Sequence, residues 1–164
     1  MPACEPLFLL LNTIAVDADF GIEKILALTI ALLALVVSGF VSGSEIAYFS
    51  LTQSQCAELE ESGKEPILRL LARPEKLLAT ILITNNLVNV TIVVLCNFAL
   101  GPVFSSMNPV LSFILQTVIL TFLILLFGEI LPKLYANNYP VRWASVAAPG
   151  INFFMKLFSP LSRL

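Results

Sequence analysis

Two long stretches of the chain carry no charged residue: residues 25–44, and residues 77–128, a run of 52 positions. A helix that crosses a bilayer needs about 20 predominantly apolar residues, so the first stretch holds one span and the second holds two. The second must therefore turn within itself. Gly101, Pro102, Ser105, Ser106, Asn108 and Pro109 supply the residues for a turn. The pattern predicts transmembrane helices near residues 24–49, 76–99 and 109–132, each long enough to cross with some tilt.

Between the first two spans, residues 53–62 are rich in good helix formers and end at Gly63, and residues 66–72 read as a second short helix. Pro74 suits the first turn of the next span, where its missing N–H costs nothing. From Pro140 onward the pattern changes. Trp143, Ile151, Phe153, Phe154, Leu157, Phe158 and Leu161 are interleaved with Arg142, Lys156 and Arg163, with no acid. Such a segment suits one or two juxtamembrane helices lying in the interface on anionic headgroups, with a break expected at Pro149–Gly150. A fourth span is the competing reading, but Arg142 and Lys156 leave only 13 uncharged residues between them, too few to cross. At the other end, Leu7–Leu11 is too short to span, and Glu5 with no early basic residue argues against a signal peptide. The expected organisation is an outer segment over 1–23, a three-helix membrane module over 24–139 and an interfacial segment over 140–164. The fold class is all-α integral membrane.

Composition agrees and excludes much else. Of 164 residues, 58% are hydrophobic and 12% charged, with no histidine and a net charge of -2; an average soluble domain is about 25% charged. One small soluble core could not hide that much apolar surface. Nucleic-acid binding wants a basic surface, and a histidine-ligated metal site or a Ser-His-Asp triad lacks its histidine. Nothing in the spans pairs a nucleophile with a base, so an enzyme is not expected. Cys4, Cys56 and Cys96 fall outside, inside and within the membrane, which implies no disulfide framework. Eight of the nine basic residues follow the first span or the third, and only Lys24 lies on the other side. The positive-inside rule then puts the N-terminus outside and the C-terminus in the cytoplasm. Asp17, Asp19 and Glu23 read as a solvated approach to the first span.

Polar groups inside a span cost free energy unless paired, so each one is a candidate for chemistry. Ser38, Ser42 and Glu45 lie at i, i+4 and i+7, one stripe of the first helix, with Gly39 and Gly43 one position on from the serines. A small-residue stripe of this kind is also a helix-packing surface. In the second span Asn85 and Asn89 share a face and Asn86 lies beside them, more amide oxygen than one packing contact uses. The third span ends Gly128-Glu129-Ile130-Leu131-Pro132-Lys133. Pro132 has no N–H for the carbonyl of Gly128 and its ring disturbs the preceding turn, leaving irregular backbone of the kind tolerated where it lines a cavity. Glu129 could use this setting to hold a cation, or pair with Lys133 at i, i+4. Together the stripes offer hydroxyl, amide, carboxylate and carbonyl oxygens, a set suited to hard cations such as Mg²⁺, Ca²⁺, Na⁺ or Mn²⁺.

Phe40-Val-Ser-Gly-Ser-Glu45, Thr80-Ile-Leu-Ile-Thr-Asn-Asn-Leu-Val-Asn89 and Gly128-Glu-Ile-Leu-Pro-Lys133 together resemble the cyclin M (CNNM) / CorB–CorC family, in its transmembrane module of unknown-function-domain type 21. The resemblance covers most of the chain; its motifs do not separate out a bacterial gliding-motility-associated or hemolysin-related subfamily. It implies a homodimeric magnesium transporter or exporter of the bacterial inner membrane, coupled to sodium, with an inward-facing cavity. Carried over by motif position, the implied Mg²⁺ ligands are Ser38, Ser42, Asn85, Asn89 and Glu129. Gly43, Glu45, Asn86, Gly128, Pro132 and Lys133 line the same cavity. Thr84 stands where glycine commonly precedes the asparagines, and Leu134 where a small polar residue is frequent. Family members usually continue into cytoplasmic nucleotide-binding CBS repeats, so the chain is expected to be a piece of a longer protein, and ATP regulation falls to no residue here. The alternative is a non-transporting scaffold or assembly subunit whose polar stripes serve only helix packing.

Overall fold

A computed structural model describes residues 21–158. All regular elements among them are helical. The first span, α1, runs Ile22–Phe49. Two short helices follow, α2 (Gln53–Glu61) and α3 (Glu65–Leu71), then the second span, α4 (Pro74–Leu100), which closes in a 3₁₀ turn at Gly101–Phe104. The third long helix has three parts: α5 (Pro109–Leu123), a π-helical segment at Ile124–Ile130, and α6 (Leu131–Asn138). The last element, α7, is Pro140–Leu157. Three helical stretches, Ile22–Phe49, Pro74–Phe104 and Pro109–Asn138, are long and apolar enough to cross a membrane. The acidic approach at Asp17 and Asp19, the run Leu7–Leu11, Cys4 and the distal tail with Leu161 and Arg163 lie outside the described residues.

Local chemistry explains the boundaries. Thr52 and Gln55 form a reciprocal capping box at the start of α2. The helix ends in a Schellman turn, with Lys64 N–H donating to the Leu59 carbonyl and Gly63 N–H to that of Glu60. Gly63 has φ +67°, the left-handed conformation that closure needs. Pro66, Pro74, Pro109 and Pro140 each stand in a first helical turn, and the Asn108 side chain accepts from the Val110 N–H to cap α5.

Helix α1 is the hub, packed against α4 along most of its length and against the π segment, α6 and α7 towards its C-terminal half. Two apolar clusters result. One, at the α2–α3 end, gathers Val41, Ala47, Tyr48, Leu77, Ile81, Ala136 and Ile151 among others. The other, towards the opposite end, holds Ala31, Ile92, Cys96, Leu120 and Ile124. Much of the remaining apolar surface, such as Val36, Leu87, Val94, Phe113 and Phe122, faces outward, as lipid-facing side chains do.

Two expectations are corrected. Pro149–Gly150 does not break the tail: α7 continues straight through Pro149. Pro149 lies on the exposed side, while Ala144, Ala147, Ala148 and Ile151 hold the opposite face against the core. Gly150 serves packing instead, since a Cβ there would lie 2.9 Å from the Phe40 ring. The third long helix also does not stop at residue 132. The proline's missing N–H is absorbed by a widened π turn just before it, in which Leu131 N–H donates to the Leu126 carbonyl, and helix resumes to Asn138.

Helix α7 is tied to α1 by polar bonds as well as packing. The buried Tyr48 hydroxyl donates to the Ala144 carbonyl at 3.2 Å, and Trp143 Nε1 donates to Ser44 Oγ at 3.3 Å. Tyr48→Phe is expected to lower stability by about 1 kcal/mol, the net worth of one neutral hydrogen bond. Denaturant unfolding in detergent checks this; an unchanged midpoint would show that the Tyr48 hydroxyl contributes nothing to seating α7.

Candidate cation site

Between the two apolar clusters lies a layer of polar side chains drawn from all three long helices: Ser38, Asn85, Asn89 and Glu129. Ser38 stands eleven residues before the end of α1, and Asn85 eleven residues after the start of α4. At about 1.5 Å of rise per residue, both sit roughly 17 Å from the same end of the bundle, deep in the hydrocarbon region. The π segment brings Glu129 to the same level.

The hydrogen bonds form one connected set. Ser38 Oγ lies 2.9 Å from Asn85 Oδ1 and 2.7 Å from Asn89 Oδ1. Its single proton can serve only one of these acceptors at a time. Asn85 Nδ2 and Asn89 Nδ2 both donate to Glu129 Oε1, at 3.5 and 3.3 Å. Gly128 makes room: a Cβ there would stand 3.1 Å from Ser38 Oγ. Gly39 lets α1 meet the third helix, because a Cβ there would come within 2.9 Å of the Pro132 ring and 3.3 Å of the Phe127 carbonyl. The glycines of the α1 stripe are thus contact surface, and Ser38 faces its neighbours' polar groups.

Two polar details stand out. Ser42, one turn from Ser38 on the same face, is fully buried and its Oγ has no hydrogen-bond partner among the described residues. Buried hydroxyls are almost always bonded, so this orphan has a lone pair and a proton to spare. Glu129 receives amide donors but no cation among the described residues. Two weak neutral contacts are thin compensation for a carboxylate at this depth.

The alternative to a cation at Glu129, an i, i+4 pair with Lys133, is not formed among the described residues. Lys133 Nζ instead reaches Glu45 Oε2 on α1 at 3.1 Å, with both side chains partly exposed. The widened π turn alters the phase between Glu129 and the residues after Pro132, so the two motif charges separate. Glu45 is accordingly paired with lysine, and among the described residues Glu129 is the one carboxylate in the polar layer. Asn86 also departs from expectation: it is exposed on α4 and has no bond within the cluster. Gly43 packs beneath Trp143. Thr84, the departure from the family pattern, is buried and bonds back to the Thr80 carbonyl at 2.7 Å, so its extra bulk is absorbed within α4.

Sequence reasoning missed the α1–α7 bonds of Ser44, Tyr48 and Trp143, and the Gln116 amide that donates to the Cys96 carbonyl at 3.4 Å. A lone glutamine inside an otherwise apolar span was a readable signal for the last of these. Among the described residues no group of three or more His, Cys, Asp and Glu comes together. The donor set is therefore neutral oxygen plus one carboxylate. Such a set can hold a hard cation loosely, and its hydroxyl and amide oxygens are the kind that exchange readily with water.

Residues 29–164 match the family described as the cyclin M transmembrane N-terminal domain. Similar curated proteins include a UPF0053 protein of Haemophilus influenzae, 30% identical over 135 residues that cover 80% of this chain and 31% of that protein. The UPF0053 inner membrane protein YfjD of Escherichia coli is 31% identical over 111 residues, covering 66% and 25%. A UPF0053 protein of Synechocystis, sll1254, is 29% identical over 143 residues, covering 85% and 39%. The chain thus spans between a quarter and two fifths of the length of these relatives. With the three motifs in order on three spans and the family match running over most of its length, the chain belongs to the cyclin M transmembrane-domain family.

Proposed function

We propose that the chain is the membrane module of a magnesium transporter or exporter, in which Ser38, Ser42, Asn85, Asn89 and Glu129 hold Mg²⁺ during passage. The observation that carries this reading is a buried, unpartnered Ser42 hydroxyl one helical turn from the Ser38–Asn–Glu129 network, whose carboxylate has no cation among the described residues. A structural layer would satisfy its own hydroxyls; a layer that receives a guest leaves some free. The guest is a hard cation because every donor is oxygen, and it is bound weakly enough to leave because only one carboxylate contributes.

The remaining features of the reading are supported by the family resemblance and by charge. The working unit is a homodimer with sodium as the coupling ion, set in the bacterial inner membrane with its N-terminus outside. The eight basic residues that follow the first and third spans favour the cytoplasm for that side. ATP acts only through cytoplasmic parts beyond this chain. Transport rather than catalysis is the family's general business.

The scaffold reading has one observation in its favour, since the Ser38–Asn–Glu129 bonds do join three helices. Ser42 separates the two readings. Under transport, Ser42→Ala removes a ligand but no internal bond, so Mg²⁺ flux into or out of proteoliposomes falls about tenfold or more while stability without Mg²⁺ holds or rises. Under the scaffold reading neither wild type nor the variant carries Mg²⁺ and added Mg²⁺ leaves melting unchanged, whereas full flux through Ser42→Ala would remove Ser42 from the ligand set.

A further inference from the structure

A second site lies at the end of the bundle where α1 gives way to α2. Helices α3 and α7 pack side by side there and leave a groove of about 510 Å³ whose lining includes Arg69, Arg73, Lys156 and Asn152 over Leu70 and Met155. Among the described residues no acidic side chain lines it. Glu65 on α3 pairs with Arg69 at 2.7 Å, but both side chains are largely exposed, so that pair is weak. Arg73 and Lys156 have no side-chain partner among the described residues. Among the described residues, two cations without a side-chain partner, a shared third and an amide converge on one concavity with no acidic side chain in its lining.

The position says what fills it. Arg73 immediately precedes Pro74, the first residue of α4, and so stands where a spanning helix leaves the bilayer. Lys156 lies in the last turn of α7, flanked by Phe153 and Leu157, which are 63% and 56% exposed. A soluble anion would need only the charges and would leave those side chains in water. An amphiphile uses both, with its phosphate between Arg73 and Lys156 and its acyl chains over Phe153 and Leu157. The arginine fork matches phosphate oxygens in two parallel bonds, and the Asn152 amide can donate a third. We infer that the α3–α7 groove is a binding site for the phosphate headgroup of an anionic membrane lipid, seated in the leaflet at this end of the spans. It is independent of the cation site, which it neither touches nor matches in charge.

The test reads binding rather than transport. The protein in neutral detergent is titrated with phosphatidylglycerol or phosphatidylcholine and the bound lipid is counted by native mass spectrometry. Wild type is expected to retain phosphatidylglycerol over phosphatidylcholine. Arg73→Gln with Lys156→Gln should weaken that retention roughly ten- to thirtyfold, as expected for two basic groups at a headgroup. Asn152→Asp, which puts a carboxylate into the groove without removing either cation, should give a loss in the same direction and covers the case in which the double variant fails to fold. Arg69→Gln should matter less, because Glu65 already shares that charge. Equal retention by wild type and Asn152→Asp, or by wild type and a folded double variant, would overturn the site. Displacement of the lipid by inorganic phosphate or glycerol phosphate at equal concentration would overturn the lipid as occupant and leave a soluble phosphate in its place.

Discussion

Glu129→Gln is expected to reduce Mg²⁺ flux in proteoliposomes by roughly a hundredfold or more, while the protein remains folded and no less stable. The size follows from the donor set. Loss of a group that only hydrogen-bonds to a metal ligand costs about 10–100-fold in metal affinity, and Glu129 is the layer's sole anion among the described residues. Stability follows from the hydrogen bonds. The glutamine carbonyl still accepts from the Asn85 and Asn89 amides, which now reach Glu129 Oε1 at 3.5 and 3.3 Å. Removing an unpaired carboxylate from mid-span also removes a penalty that insertion scales put near 3 kcal/mol for an acidic residue. Melting without Mg²⁺ should therefore be unchanged or higher, and the rise in melting temperature on adding Mg²⁺ should vanish. Undiminished flux would end the assignment of Glu129 as a ligand. A folding defect with no change in Mg²⁺ dependence would make the residue structural.

The three spans were legible because charge is excluded from hydrocarbon so strongly that its absence over residues 25–44 and 77–128 marks them without any homologue. The polar layer was legible for the same reason: asparagine and glutamate in such runs stand out one by one. Partnerships between spans were harder. A helical period places Glu129 and Lys133 on one face, and the pairing of Lys133 with Glu45 depends on a π turn that the period does not encode. The proline that causes the turn is visible, but whether the backbone kinks, unwinds or widens is decided by what packs against it. Here that is Gly39, whose bare Cα lets the Pro132 ring sit against α1. Likewise Pro149–Gly150 reads as a helix break in isolation, and becomes uninterrupted helix because four residues of α7 are buried against the core. Asn86 shows the opposite limit, since adjacency in sequence put it beside its neighbours while the helix turned it outward.

The largest structural effect of a single methyl is expected at Gly43. A Cβ there would stand 2.7 and 2.8 Å from the Cζ2 and Cε2 atoms of Trp143, against the roughly 3.5–4.0 Å that carbon atoms prefer. The indole has little room to withdraw. It meets Tyr135 edge-on at 5.6 Å, lies 6.4 Å from Phe40, and donates from Nε1 to Ser44 Oγ at 3.3 Å. Alanine is the better helix former by about 0.8–1.0 kcal/mol, whereas overpacking costs about 1–3 kcal/mol, so overpacking wins. Gly43→Ala should thus lose roughly 1–2 kcal/mol of stability and loosen α7 from α1. Trp143 is the only tryptophan in the chain, so its emission reports directly on the displacement and should shift as the ring leaves its partner. Gly101→Ala makes the same chemical change where nothing lies within 4 Å of the new Cβ, and should leave both emission and stability essentially as they were. If Gly43→Ala behaves like Gly101→Ala, the glycine is not what seats the tryptophan.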